Sequence, residues 1–200
     1  MAAASNSRSG YDTTSTMPLP LGQAIRELPG QYLKVLTKPS VRTFVEEKGK
    51  ASWGIVWAQL IGLSVISAIL IAINYLIYPP HVGSVAGSGL SAATIPLLTI
   101  LTGVIFTLVL TPVSFLAAGG VIYLIAKVFG GKGRYLTQIY TTLLFGVPLV
   151  IVSYLLLLIP VAGSWLSYVP HIYSAVLLIL SLIAVHRRIE ESKLPSSSPQ

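Results

Sequence analysis

Between Lys50 and Arg187 the chain contains no aspartate and no glutamate. Only three full charges fall in that interval, Lys127, Lys132 and Arg134, and they sit in one short stretch. A water-soluble fold of this size needs a charged surface, and this stretch cannot supply one. Lipid must solvate it instead, because one ionised side chain near the bilayer centre costs about 2.5–3.5 kcal/mol on insertion scales. The missing carboxylates also remove most hydrolytic and acid–base mechanisms from the membrane-embedded part, so no catalytic residue and no enzymatic activity is expected. Cysteine is absent altogether, which excludes a disulfide framework, a thiolate metal site and a cysteine nucleophile. The first twenty residues lack an apolar run, so no cleavable signal peptide is expected and the first span serves as its own insertion signal. They also lack the Met-Gly start of a myristoylation site.

What is present is apolar. Hydrophobic residues make up 54% of the 200 residues, and the net charge is +7. The basic residues flank apolar segments, so they read as orientation signals and contacts to anionic headgroups, not as a nucleic-acid footprint. Residues 1–20, rich in Ser, Thr and Ala, are expected to form a disordered cytosolic tail. Residues 21–50 alternate apolar positions (Leu21, Ile25, Leu28, Tyr32, Leu33, Val35, Leu36, Phe44, Val45) with Arg26, Lys34, Lys38 and Arg42. That pattern suits amphipathic helices in the headgroup layer, broken into short pieces at Pro29-Gly30 and at Pro39. A cytosolic linker with local helicity is the plainer alternative.

Four spans follow, at about 53–78, 95–126, 137–159 and 165–185, within a membrane domain covering 51–188. Trp53 and Trp57 mark one end of the first span, Tyr75 and Tyr78 the other, as aromatic belts do. The second segment is long. About 32 residues at 1.5 Å each would reach roughly 48 Å, against a hydrocarbon core of about 30 Å. Charge decides between one kinked helix and two short ones. A single helix puts the N-terminal region, Lys127, Lys132, Arg134, Arg187 and Arg188 on one side, and the uncharged loops 79–94 and 160–171 on the other. The predicted fold is therefore all-α: a four-helix transmembrane bundle with proline-kinked second and third helices. Both termini lie in the cytoplasm, with 189–200 a second disordered tail. The plasma membrane is the expected location.

The candidate interaction residues are few. Pro112 and Pro148 each remove a helix hydrogen bond and bend the helix. The freed carbonyl either faces a substrate, as in broken-helix transporters, or is satisfied by Thr107, Thr111 or a neighbouring helix. Ala117-Ala118-Gly119-Gly120 and the row Ser64, Ala68, Ala72 form small surfaces, for packing within the chain or against a second copy in a homo-oligomer. Gln59 and Gln138 should lie at similar depth, where a cross-helix amide bond would be worth about 0.6–2 kcal/mol. His81, His171 and His186 fall at membrane boundaries and are too few for a metal site. His186-Arg187-Arg188 reads as an anchor to anionic lipid. Gly130-Gly131-Lys132-Gly133-Arg134 looks superficially like a phosphate cradle, but no strand precedes it and the GxxxxGK[ST] spacing is missing. A tight glycine turn between antiparallel helices explains it better. No cofactor is expected.

The stretch Phe129-Gly-Gly-Lys-Gly-Arg-Tyr-Leu-Thr-Gln138, followed by a span carrying Pro148, resembles the Yip1-domain family. So does LTKPSVRTFVEEKGKASW (Leu36 to Trp53) ahead of the first span. The similarity extends over roughly Leu33 to Arg188. It implies a polytopic helical bundle with a cytosolic N-terminus, and in eukaryotes an association with Rab GTPases and traffic between endoplasmic reticulum and Golgi. The Asp-Leu-Tyr-Gly-Pro segment of eukaryotic members is missing, and a polar tail replaces the frequent fifth span. Both departures point to the shorter, prokaryote-type members, and no functional residue is carried over. The expected function is that of a non-enzymatic adaptor or organiser of partners or lipids, with a protein partner reached through residues 21–50. The alternative is a small transporter or channel subunit for a neutral or lipid-like substrate.

Overall fold

A computed structural model describes residues 20–79 and 94–186. Both tails, most of the 79–94 loop, His81, Arg187 and Arg188 lie outside the described residues. Among those described there are seven helices and no strand: α1 (Leu21–Thr37), α2 (Val41–Lys48), α3 (Trp53–Ile77), α4 (Thr94–Val128), α5 (Tyr135–Leu156), α6 (Gly163–Leu166) and α7 (Tyr168–His186). Four stretches are long and apolar enough to cross a membrane: Trp53–Ile77, Leu97–Val128, Tyr135–Leu156 and Gly163–His186. The second is a single continuous helix, as the charge distribution required.

The helix starts are written locally. Pro39 cannot continue α1, and Ser40 then caps α2, its hydroxyl accepting from the Thr43 N–H at 3.1 Å. Ser52 caps α3 in the same way, accepting from Ile55 N–H at 3.4 Å. The expected break at Pro29-Gly30 does not occur: α1 runs unbroken through both residues. An internal proline costs roughly 3 kcal/mol. Here Leu28, Gln31 and Val35, all on one face of α1, are buried against the bundle and offset that cost.

α5 is the central helix. It packs against α1, α2, α3, α4, α6 and α7, and its inner positions Ile139, Tyr140, Leu143, Leu144 and Phe145 form the middle of the core. α4 packs mainly on α3 and α5 and turns the rest of its surface outward. Ile105, Phe106, Val109 and Val113 on that surface are more than half exposed, an apolar face suited to lipid. Close approach uses small residues. A side chain on Gly103 would meet the Tyr75 ring at 2.7 Å, and one on Gly119 would collide with Ile139. The Ala117–Gly120 surface thus serves packing within the chain at Gly119, while Gly120 faces open space.

α1 and α2 form a cap across the basic end of the bundle. Val35 and Phe44 are fully buried beneath it, and Phe44 meets Phe145 edge-on with centroids 6.1 Å apart. The segment 21–50 is thus a docked layer, with Leu21 and Ile25 left exposed along its edge. Phe44→Ala should cost about 3–5 kcal/mol by opening a cavity in a closed site. A thermal melt of detergent-solubilised protein should show the loss, while Val128→Ala on the exposed end of α4 should leave the melt unchanged.

Candidate functional site

The charged side chains of the described residues converge on the basic end, where the cap, the α4–α5 turn and the end of α7 meet. Glu47 is the pivot of the cap. Its carboxylate accepts from Lys34 at 2.8 Å and pairs with Lys50 at 2.8 Å. Lys34 also reaches Glu46 at 3.0 Å, and Arg42 pairs with Glu46 at 3.1 Å. Burial alone would raise the Glu47 pKa, but the hydrogen bonds from Lys34 and Lys50 outweigh it and hold the carboxyl below its ordinary range. The same contacts hold Lys34 above its own range, led by the bond to Glu47.

Buried polar side chains join the cap to the bundle. The Tyr140 hydroxyl donates to Gln31 Oε1 at 2.8 Å, and Tyr32 donates to Gln59 Oε1 at 3.1 Å. Tyr173 donates to the carbonyl of Leu36 at 2.7 Å. Lys48, in the last turn of α2, donates to the carbonyl of Ala184 at 3.2 Å, placing a cation at the negative end of the α7 dipole.

The turn after α4 closes on glycine. Gly130 takes φ +81°, a left-handed conformation that favours glycine, and Gly131 N–H returns to the Ala126 carbonyl at 2.8 Å. A side chain on Gly131 would strike His186 Nδ1, and one on Gly133 would sit 3.0 Å from the Val185 carbonyl. His186 is therefore no outward anchor. It lies over the turn, where Gly133 N–H points to its Nδ1 at 3.4 Å and its Nε2 meets Gln138 Oε1 at 2.8 Å. With Nδ1 accepting, the proton sits on Nε2 and donates to the glutamine. Rings continue the contact: His186 lies against Tyr123, Tyr123 against Tyr135, and Tyr135 against Trp53. Lys127 Nζ sits 5.4 Å from the centre of the Tyr123 ring.

The expected amide bond between Gln59 and Gln138 is not formed. Gln138 also donates to the Gly119 carbonyl at 3.4 Å, and Gln59 turns to Tyr32. Each glutamine finds a partner that the span order alone did not reveal, because that order places the cap and the end of α7 on the basic side but not which side chains they dock. Lys132 and Arg134 are exposed on the turn, as expected. Pro112 and Pro148 lie within the continuous helices α4 and α5, away from this end. Gln31, Tyr140 and Lys48 were not singled out from the sequence. A glutamine on the otherwise apolar face of α1 was the available signal.

This arrangement of a docked N-terminal cap, four spans and a glycine turn before a proline-bearing helix coincides with a family match. A profile of the Yip1 domain matches residues 33–195. The chain belongs to the Yip1 domain family. No curated protein and no solved structure matches it. The Yip1 domain match takes in only the last turn of α1 but all of α2 and the four spans, so α2 and the bundle fall within one domain and most of α1 precedes it. The described Yip1 residues contain no group of three or more His, Asp or Glu able to hold a metal ion.

Two outcomes check this geometry. Gly131→Ala should destabilise the chain by about 1–3 kcal/mol through overpacking on His186, whereas Gly120→Ala should be neutral or gain up to about 1 kcal/mol; chemical or thermal unfolding separates them. Because the folded pKa of Glu47 lies below its ordinary 4.5, its contribution is present above that value and lost as pH falls through the folded pKa. Melting temperatures measured from neutral to acidic pH should therefore drop in that window, and Glu47→Gln should flatten the drop.

Proposed function

We propose that this Yip1-domain protein is a non-enzymatic, multi-pass protein of the plasma membrane that organises partners at its basic, cytoplasmic side. Both termini lie on that side, next to anionic headgroups. The observation that carries the reading is the docked cap. Residues 21–50 are held on the bundle by buried contacts, yet they leave Arg26, Leu33, Lys38 and Arg42 exposed on the outer surface. A rigid, basic face with an exposed leucine is suited to recognising a protein surface. The described spans, by contrast, hold a single Asp, Glu, Lys or Arg, the Lys127 in the last turn of α4 at the basic end, and so offer no such charge deeper in the bilayer for coupling to an ion.

A second reading rests on two adjoining cavities of about 300 and 360 Å³ between α4, α5 and α7, which share Phe115, Val150, Ser153 and His171. The hydroxyls of Thr142 and Ser67, one lining each cavity, are buried without a hydrogen-bond partner. An apolar cavity with spare hydroxyls suits a neutral or lipid-like substrate, and bends at Pro112 and Pro148 would serve its passage.

Deleting residues 21–50 would strip Val35 and Phe44 from the core, so surface variants give the cleaner test. Arg26→Glu with Leu33→Glu should abolish recovery of a stoichiometric partner in crosslinking and mild-detergent purification from native membranes, with crosslinks mapping to α1. Recovery of the same partner by parent and variant, or of the chain alone by both, would sink the organiser reading. Flux of neutral solutes in liposomes, compared with a Pro112→Ala, Pro148→Ala variant, then decides the second reading.

A further inference from the structure

The glycine turn lacks the spacing of a nucleotide loop, yet its Lys132, Gly133 and Arg134 wall a cavity of about 380 Å³ between the end of α2 and the start of α5. Lys48, Lys132 and Arg134 line this cavity together with Gly49, Ala51, Gly133 and Thr137. No carboxylate lines it. The acidic side chains of the cap are occupied elsewhere: Glu27, Glu46 and Glu47 pair with Lys34, Arg42 and Lys50. Three cations are thus gathered around one space, and nothing among the described residues neutralises Lys132 or Arg134. Lys48 is held in place by the Ala184 carbonyl and keeps two further donors free.

The backbone adds to the same field. α5 starts at Tyr135 without a side-chain cap, and its first helical bond runs from Gln138 N–H to the Arg134 carbonyl. The N–H groups of Leu136 and Thr137, both on the cavity wall, are left without helical acceptors. Depth is set by a neighbour: Tyr135 packs against the exposed Trp53, whose place is the membrane–water interface.

We infer that this cavity binds a phosphomonoester group, carried by a lipid headgroup or free in solution. A phosphomonoester brings close to two negative charges and three acceptor oxygens on one phosphorus. Arg134 can engage two of those oxygens at once, Lys48 and Lys132 supply point charges, and the start of α5 supplies N–H donors. A phosphodiester with a single charge and a neighbouring ammonium, as in phosphatidylserine, satisfies fewer of these groups. The lipid source rests on the cytoplasmic placement of the basic end proposed above; the site itself does not.

The test reconstitutes the full chain in phosphatidylcholine containing equal fractions of phosphatidic acid and phosphatidylserine. The chain is then re-extracted, and retained lipid is quantified by native mass spectrometry. Phosphatidic acid should be retained about tenfold over phosphatidylserine, and the preference should vanish in Lys132→Gln with Arg134→Gln. Arg134→Lys should keep part of it. In phosphatidylcholine alone, a rise in melting temperature on adding inorganic phosphate, lost in the double variant, assigns a soluble source. Phosphatidic acid retention without that rise assigns the lipid. The double variant should melt like the parent in the absence of ligand, since neither side chain it changes has a partner among the described residues. Equal retention of both lipids with no phosphate response, or a preference unchanged in the double variant, would overturn the site. A chain that captures no protein through α1 but retains phosphatidic acid would refute the organiser reading and leave this one standing.

Discussion

A bilayer interior solvates neither ionised side chains nor unpaired backbone groups, and the rest of this structure follows from that constraint. Backbone groups are satisfied by making every span helical. Charges are expelled to one end, where Lys34, Lys48, Lys50, Lys127, Lys132 and Arg134 collect with the few carboxylates of the described chain. With lipid on the outside, apolar burial does little to hold one span against another, so close contact falls to small residues and a few polar pairs. Gly103 against Tyr75, Gly119 against Ile139 and Gly146 against Phe115 are three points where a glycine permits such close packing between spans.

Collecting the charge at one end has a structural consequence. The basic end borders water, so apolar burial can act there. The cap uses it, with Leu28, Val35 and Phe44 buried on the ends of α3, α5 and α7. Hydrogen bonds from Tyr32, Tyr140 and Tyr173 fix the register of the cap on the bundle. The Lys34–Glu47 pair then ties α1 to α2. The cap is in this way the soluble half of a domain whose other half is solvated by lipid.

The glycine turn and His186 connect this layer to the spans. Because Gly131 and Gly133 carry no side chain, the last turn of α7 can descend onto the α4–α5 turn and place its imidazole over Gln138. That approach also brings Val185 and the end of α2 beside Lys132 and Arg134, creating the cationic cavity. The Gly-Gly-x-Gly spacing is accordingly a packing requirement with an electrostatic by-product.

Composition and charge order alone determined the class, the number of spans and the single long second helix, because lipid solvation acts on each residue independently of its tertiary neighbours. Local chemistry likewise determined the caps at Ser40 and Ser52 and the turn at Gly130. Pairings across the chain were not legible. Gln59 and Gln138 were expected to bond each other, but Tyr32 and His186 partner them instead, from a helix and a terminus whose docking no local pattern encodes. Pro29 failed as a breaker for the same reason: burial of α1 against the bundle is a tertiary energy and exceeds the local penalty. Only the tertiary structure decided that residues 21–50 form a cap, and that Lys48 joins Lys132 and Arg134 across more than eighty residues of chain, because such convergence depends on how helices pack and not on the order in which they occur.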